Sequence, residues 1–353
     1  MAALNTIVRS QQFIRFEERM PTMKKTIAIF SAAALSLSLA ACGGSGAGSS
    51  GASASEADYR IAIVQQLDHS SLDEIRTAIE AELDAKAAEL GITIEYKDFN
   101  GQNDATTLNQ IGTQVISDGY DAIIPIASLA AQCMTTAAVE TQTPVIYAAI
   151  SDPESAELTG IDYVTGTSDA LDTQFIMDMM FAADPDIQTV GLLYSNSEPN
   201  SETPIKEAKA YLDAKGIAYV EATGNTNDEV LSAAANLADK ADAVFTPTDN
   251  VVMAAAAAVS ETLTKAGVPY YTGADSFVTA GALATCGVNY TDLGAKTADM
   301  ALDVLQTGTV PEFHVMEGGI ITVNTETADA LGIDPSVYTE LGGTLKEVVT
   351  AAE

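Results

Sequence analysis

The chain repeats its own plan. DAIIPIAS (Asp121–Ser128) and DAVFTPTD (Asp242–Asp249) have the same form: an acidic residue, an apolar run and a polar end. Upstream of each, GITIE (Gly91–Glu95) matches GIAYV (Gly216–Val220). Downstream, TPVIYAAISD (Thr143–Asp152) matches VPYYTGAD (Val268–Asp275). A period of about 120–130 residues is far longer than a solenoid unit of roughly 20–50. The repeat therefore predicts two similar lobes, and 353 residues are too many for one core of ordinary size.

Each half alternates short apolar runs with helical patterns, which is the signature of a parallel α/β sheet. Arg60–Val64 reads as a buried strand, and Leu72, Ile75, Ile79, Leu83 and Leu90 then recur at helical spacing. Gly91 closes that helix. A helix (about 104–117), a strand (Ala122–Ala127), a helix (129–140) and a strand (Val145–Ile150) follow. The second half opens with a strand at Val190–Tyr194 and a helix over 203–215, with Pro204 at a favoured early position. The predicted fold class is α/β, two Rossmann-like lobes with a ligand cleft between them. Ligands of open α/β sheets lie beyond the carboxyl ends of the strands. The loops there are unusually polar, as in QQLDHS (Gln65–Ser70) and SNSEPNS (Ser195–Ser201).

The first sixty residues read as an address. Met23-Lys24-Lys25, the apolar run Ile27–Leu39 and Ala40-Ala41-Cys42 make the three regions of a secretory signal peptide. The run is too short to span a membrane, which takes about 20 apolar residues. Leu39-Ala40-Ala41-Cys42 resembles the bacterial lipobox, so Cys42 is expected to be lipidated. Residues 1–22 precede the signal start and are left out of fold reasoning. Gly43–Ala57 is nearly all Gly, Ser and Ala, a flexible tether. Within it Gly46–Gly51 fits G-x-G-x-x-G, but no strand precedes it, so a dinucleotide site is rejected. The expected organisation is signal (1–41), lipidated Cys and tether (42–58), lobe 1 (59–166 plus about 290–320) and lobe 2 (167–289 plus about 321–345).

Charge and composition narrow the function. Sixteen Lys+Arg against 49 Asp+Glu give −33, which opposes nucleic-acid binding and a basic membrane-surface helix. Three cysteines and two histidines exclude a disulfide scaffold and a Cys/His zinc cage. The sequence has no G-x-S-x-G, P-loop or H-E-x-x-H motif, and no calcium loop. No enzyme activity, cofactor or metal is expected. An export tether carrying a two-lobed α/β body describes a receptor for a small solute.

The cleft loops also carry a pattern. QQLDHSSLD (Gln65–Asp73), NGQND (Asn100–Asp104), EPNS (Glu198–Ser201), PTDN (Pro247–Asn250), GALA (Gly281–Ala284) and GVNY (Gly287–Tyr290) occur in order, followed by Leu293-Gly294. Over roughly residues 59–340 the chain resembles the ABC-transporter substrate-binding lipoproteins of the TrpX-like family. Two departures stand out. Ser70 replaces a common proline, and Ala127-Ser128-Leu129-Ala130 replaces a Thr-Pro-Ala-Ala stretch. The resemblance implies a type I periplasmic-binding-protein fold whose chain crosses between lobes three times, near Thr165–Thr167, Asn289–Tyr290 and Ile320–Val323. It also implies an extracytoplasmic, lipid-anchored monomer that delivers an aromatic amino acid to an ABC permease and its ATPase. Contact with the membrane is expected through the lipid alone. Rivals are another amino acid, a nucleoside, a sugar, or a surface sensor or adhesin with the same fold.

An amino acid needs an anion site, a cation site and a side-chain pocket. Ser128 and Leu129 at a helix start, and Asn200-Ser201 ahead of Pro204, offer donors to a carboxylate, although such residues also cap helices routinely. Asp152, Glu198, Asp249 and Asp275 sit at strand ends and are candidates for the ammonium, each with a turn or cap role as the alternative. Gln65, His69, Thr248, Asn250 and Ser276 complete the expected ligand contacts. Tyr147, Tyr194 and Tyr290 are candidate aromatic walls or core residues.

Overall fold

The computed structural model describes residues 57–351; the signal sequence, Cys42 and nearly all of the tether lie outside the described residues. The first sheet starts with β1 (Tyr59–Gln65), β2 (Ile94–Asn100), β3 (Ala122–Ile126), β4 (Val145–Tyr147) and β5 (Val164–Ser168). Helices α1 (Ser70–Leu90), α2 (Ala105–Asp118) and α3 (Ser128–Ala137) link the first four strands. The chain then enters a second sheet through α4 (Thr173–Ala183). That sheet takes β6 (Thr189–Tyr194), β7 (Ala218–Thr223), β8 (Ala243–Thr246), β9 (Tyr270–Thr272) and β10 (Ala284–Gly287). Between them run α5 (Glu202–Lys215), α6 (Asn227–Ala238), α7 (Asn250–Met253), α8 (Ala256–Lys265) and α9 (Asp275–Thr279). Helix α10 (Tyr290–Thr307) and β11 (His314–Val315) return to the first lobe. Strand β12 (Ile320–Asn324), α11 (Thr325–Leu331) and β13 (Thr344–Val348) end in the second.

The sheet orders are β11-β5-β4-β3-β1-β2 and β13-β12-β10-β9-β8-β6-β7. Pairing is parallel except between β10 and β12, where the chain re-enters from the hinge. The architecture is the predicted α/β fold, two Rossmann-like lobes of the type I binding-protein kind. The chain leaves the first sheet after Ser168, returns between Gly287 and Tyr290, and leaves again between Val315 and Ile320. Thr165–Thr167 and Ile320–Val323, where the resemblance placed two of the crossings, are strand residues. Thr165 and Gly166 pair with Ile146 and Tyr147 in β4, and buried Thr167 shares a hydrogen bond of 2.8 Å with Thr297 of α10.

Local sequence explains the elements. Strand β1 is buried over its last five residues, as a central parallel strand covered on both faces must be. Helix α1 buries Leu72, Ile75, Ile79 and Leu83 along one stripe, and Gly91 ends it with φ +67. Gly216 closes α5 with φ +69, repeating the device in the second lobe. Among the described residues, no helix is long and apolar enough to cross a membrane. Cys133 and Cys286 are buried free thiols.

Helix α10 packs directly on α1, and Gly294 permits the approach. A Cβ there would lie 2.6 Å from the Ile75 carbonyl oxygen and 2.7 Å from the Ala78 methyl. Backbone cannot yield as a side-chain tip can, so Gly294→Ala is expected to cost about 1–3 kcal/mol. The cost should appear as a lower urea midpoint at unchanged slope.

Strand order reverses between β1 and β3 in one sheet and between β6 and β8 in the other. Those switch points open the crevices in which α/β sheets hold ligands. The loops that follow β1, β3, β6 and β8 hold Gln66–His69, Ala127, Ser195–Glu198 and Pro247–Asp249.

Candidate functional site

The switch-point loops of the two lobes meet around one cavity. With the lobes in this arrangement the space left inside it is small, and residues of both lobes line it. One wall is apolar: Leu72 and Ile75 from α1, Met253 from α7, Ala274 before α9, and Phe277 within it. The rest of the lining is polar: Ser128, Ser151, Asp169, Asn200, Thr248 and Asn250, with His69 and Tyr290 at the starts of α1 and α10.

Asp169 is the acidic group of this wall with an uncommitted role. It stands just after β5 and is 5% exposed. Its carboxylate accepts hydrogen bonds from Ser151 Oγ at 2.9 Å and from the Tyr290 hydroxyl at 3.1 Å. Burial pushes its pKa up against the opposing effect of those two donors. An unpaired carboxylate in such surroundings is short of a cation.

In the same sheet, the first turn of α3 begins at an unusual backbone. Ala127 has φ 75 and ψ 164, a region that only glycine adopts without strain. Ala149, at the end of the neighbouring strand, has φ 57. Both line the cavity, and strain held at a cleft is a recurrent mark of a ligand clamp. The N–H of Leu129 is taken by Gln66 Oε1 at 3.0 Å. The other N–H groups of that first turn suit an anion.

The lobes are closed over this cavity. Gln66 Nε2 donates to Glu198 Oε1 at 3.1 Å, His69 Nε2 meets Asn250 Oδ1 at 3.0 Å, and Ser151 meets Thr248 at 2.9 Å. Thr203 Oγ1 donates to Asp152 at 2.6 Å, and the Ser71 and Ser276 hydroxyls touch. Each of these contacts joins the first lobe to the second. Burial and the neighbouring Asp249 charge push the Glu198 carboxyl up to about 8, against the donors from Asn250 and Asn200. Burial also raises Asp249, but that carboxylate keeps three donors: Ser195 N–H and Ser201 Oγ, each at 2.7 Å, and Val252 N–H at 2.9 Å. Glu198 is therefore the member of the pair that takes the proton.

Of the residues expected from sequence, His69, Ser128, Asn200, Thr248, Asp249 and Asn250 line the cavity. Asp249 does so with Oδ1 capping α7 at Val252 N–H and Oδ2 holding Ser195 N–H and Ser201 Oγ, three donors against the two on Asp169, so Asp169 has the more room for an ammonium. The others stand behind or beside the wall. Gln65 braces the β1 loop through Leu67 O, Asp73 and Arg76. Leu129 is held by Gln66, and Ser201 serves Asp249. Asp152 caps Ser155 and bridges to Thr203. Asp275 turns to Lys346 Nζ at 3.1 Å. Glu198 and Ser276 join the lobes. Tyr290 reaches the cavity, whereas Tyr147 and Tyr194 do not line it. Asp169 and Phe277 were not expected, and neither was Gln66. Asp169 follows β5, which was not expected as a strand; a lobe crossing was expected there instead. Gln66 differs from Gln65 by one position, and beyond a strand's end no alternation fixes which of two neighbours faces the cleft.

The lining is hydroxyl, amide, carboxylate and apolar, without a nucleophile–base pair. Among the described residues no group of three or more His, Cys, Asp or Glu could hold a metal ion. Such a wall binds and orients.

Comparison with known proteins agrees with this geometry. The family model described as "ABC transporter substrate binding protein" matches residues 60–338. A protein of Clostridioides difficile (strain R20291) named "Tyrosine-binding protein" is 30% identical over 285 residues, covering 78% of this chain and 82% of that protein. A Streptococcus pneumonia ABC domain in complex with L-Trp superposes with TM-score 0.75 at 29% identity, covering 82% of this chain and 99% of that one. A ligand-free, open structure from Clostridium difficile, described as a substrate binding protein with adhesive properties, gives TM-score 0.63 at 30% identity, covering 83% and 100%. At nearly equal identity the chain superposes better on the relative with L-Trp than on the ligand-free, open one. Family solute-binding proteins are extracytoplasmic and are not enzymes. By sequence, fold and cleft, the chain belongs to the ABC transporter substrate binding protein family.

Proposed function

We propose that this protein captures an aromatic amino acid in the cleft and presents it, lobes closed, to the permease of an ABC importer. The observation that carries the reading is the division of the cavity. Asp169 supplies a buried carboxylate for the ammonium. Ser128 and the first turn of α3 supply donors for the carboxylate. Leu72, Ile75, Met253 and Phe277 supply an apolar wall for the ring. The relatives named for tyrosine and solved with L-Trp support the same solute class. Closure follows because the solute touches both lobes and so favours the form in which both contacts exist. Lipidation at Cys42 would keep the receptor at the membrane, with residues 43–58 as its leash. A second role in adhesion is favoured by one observation, the adhesive properties of the Clostridium difficile relative.

The test is a thermal-shift and calorimetric screen of residues 56–353, stripped of carried-over ligand, against the twenty amino acids, nucleosides and sugars. Solute binding to the folded state raises the melting temperature by mass action, about 2.7 kcal/mol at a hundred times Kd. A rise confined to aromatic amino acids is expected. A rise with a different solute keeps the receptor and removes the substrate class.

A further inference from the structure

His69 stands at the start of α1 without capping it: its side chain makes no hydrogen bond to the helix's first turn. Its role comes from a chain of polar groups instead. Asn250 Nδ2 donates to Glu198 Oε2 at 2.6 Å, which leaves Asn250 Oδ1 facing His69 Nε2 at 3.0 Å. A carbonyl oxygen only accepts, so Nε2 carries the ring hydrogen and Nδ1 keeps a bare lone pair. That Nδ1 is buried and has no partner, in a residue that lines the cavity. Burial holds the ring below the ordinary histidine pKa, against the Asn250 hydrogen bond and the charges of Asp73 and Asp68, so the ring is neutral at pH 7. A buried acceptor left unmatched costs about 1–3 kcal/mol.

The position of this acceptor indicates what meets it. Ser128, Ser151 and Asp169 stand on the loops after β3, β4 and β5, at the end that suits a main-chain carboxylate and ammonium. His69 belongs with the apolar lining: Leu72 stands three residues on from it in α1, and Asn250, which it meets, stands three residues before Met253 in α7. That is the part of the cavity that suits the ligand's side chain.

We propose that His69 Nδ1 accepts a hydrogen bond from an N–H or O–H at the far end of the bound side chain, so that the site selects tyrosine or tryptophan and rejects phenylalanine. The inference rests on the aromatic amino-acid reading and deepens it. Sites built to pair a substrate donor reject the analogue that lacks it more strongly than apolar pockets reject a missing methylene.

The experiment is calorimetric titration of wild type, His69→Leu and His69→Asn with L-tyrosine, L-tryptophan and L-phenylalanine. Wild type is expected to bind tyrosine or tryptophan at least about tenfold more tightly than phenylalanine. His69→Leu removes the acceptor and should bring that ratio to within about threefold, while His69→Asn, which restores an acceptor near the Nδ1 position, should recover part of it. Independently of any variant's folding, the ¹⁵N shift of His69 Nδ1 in wild type should move with the preferred ligand and not with phenylalanine. Equal wild-type affinity for all three ligands overturns the proposal and leaves the aromatic reading standing. So does an equal loss for all three in His69→Leu, which would make His69 a brace of the loop or a partner of the ammonium. A wild type that binds none of the three removes the aromatic reading and this proposal with it.

Discussion

Asp169→Asn is expected to weaken solute binding by about 100-fold or more and to leave the fold intact. The asparagine has the same shape and can still accept a hydrogen bond from Ser151 or Tyr290, so the loop after β5 keeps its position. What it lacks is charge. Truncating one member of a buried, hydrogen-bonded ion pair typically costs about 2–5 kcal/mol, because the other charge is left buried and unmatched. At about 1.4 kcal/mol for each factor of ten, the midpoint is beyond 100-fold. The unliganded protein should respond in the opposite sense. Its 5%-exposed carboxyl carries a desolvation penalty with no cation to offset it, so the melting temperature without ligand should hold or rise. Asp249→Asn makes the contrast. Its oxygens serve Ser195, Ser201 and Val252, and an amide cannot satisfy all three donors, so that variant should lose melting temperature first. Calorimetry and thermal melts on the two variants separate the roles. Unchanged affinity in Asp169→Asn would send the ammonium elsewhere in the cleft.

That contrast also marks how far the sequence could be read. The repeat of DAIIPIAS in DAVFTPTD disclosed two lobes, and the repeated strand ends disclosed which loops face one another. Strand and helix positions followed from periodicity, because burial on both faces of a parallel sheet imposes apolar runs that are visible in one dimension. The cleft residues were legible as a set of loops and not as individual side chains. Asp249 and Asp275 look alike in sequence, an acidic residue after a strand. One caps α7 from inside the cleft wall, while the other pairs with Lys346 from a strand seventy residues on. Which occurs depends on contacts with no sequence signature. Asp169 was missed for a related reason: the resemblance put a lobe crossing at Thr165–Thr167, yet VTGTS (Val164–Ser168) is a buried strand in which Thr167 finds Thr297 on α10. The hinge moved past the end of that strand, and Asp169 moved into the site with it.

Solute affinity is expected to fall by up to tenfold per pH unit as pH rises from about 5 to about 8, and to level off above that. The origin is Glu198, the acidic member of the contacts that join the lobes. In the closed form burial and the Asp249 charge push it up to about 8. In an open cleft the carboxyl meets water, and its pKa returns toward the ordinary value of about 4.3. The closed form therefore binds a proton that the open form has already released. For a group raised in this way, the stabilisation is complete at low pH and is lost as pH climbs toward the raised value, at about 1.36 kcal/mol per unit. Its surroundings fit that reading. Gln66 from the β1 loop and Asn250 from α7 donate to it, and Asn250 links it to His69. Asn200 adjoins it from its own turn as a further donor that opposes the upward shift. Burial raises Asp249 as well, against its three donors, and burial lowers His69. Glu198→Gln keeps the acceptor for Gln66 and carries its own N–H, so it should bind with little dependence on pH and more tightly than wild type at pH 8. Calorimetry in buffers of different ionisation enthalpy should also find proton uptake on binding in wild type and less of it in the variant. A flat wild-type profile, or the same slope in Glu198→Gln, would assign the closing equilibrium to groups other than this one.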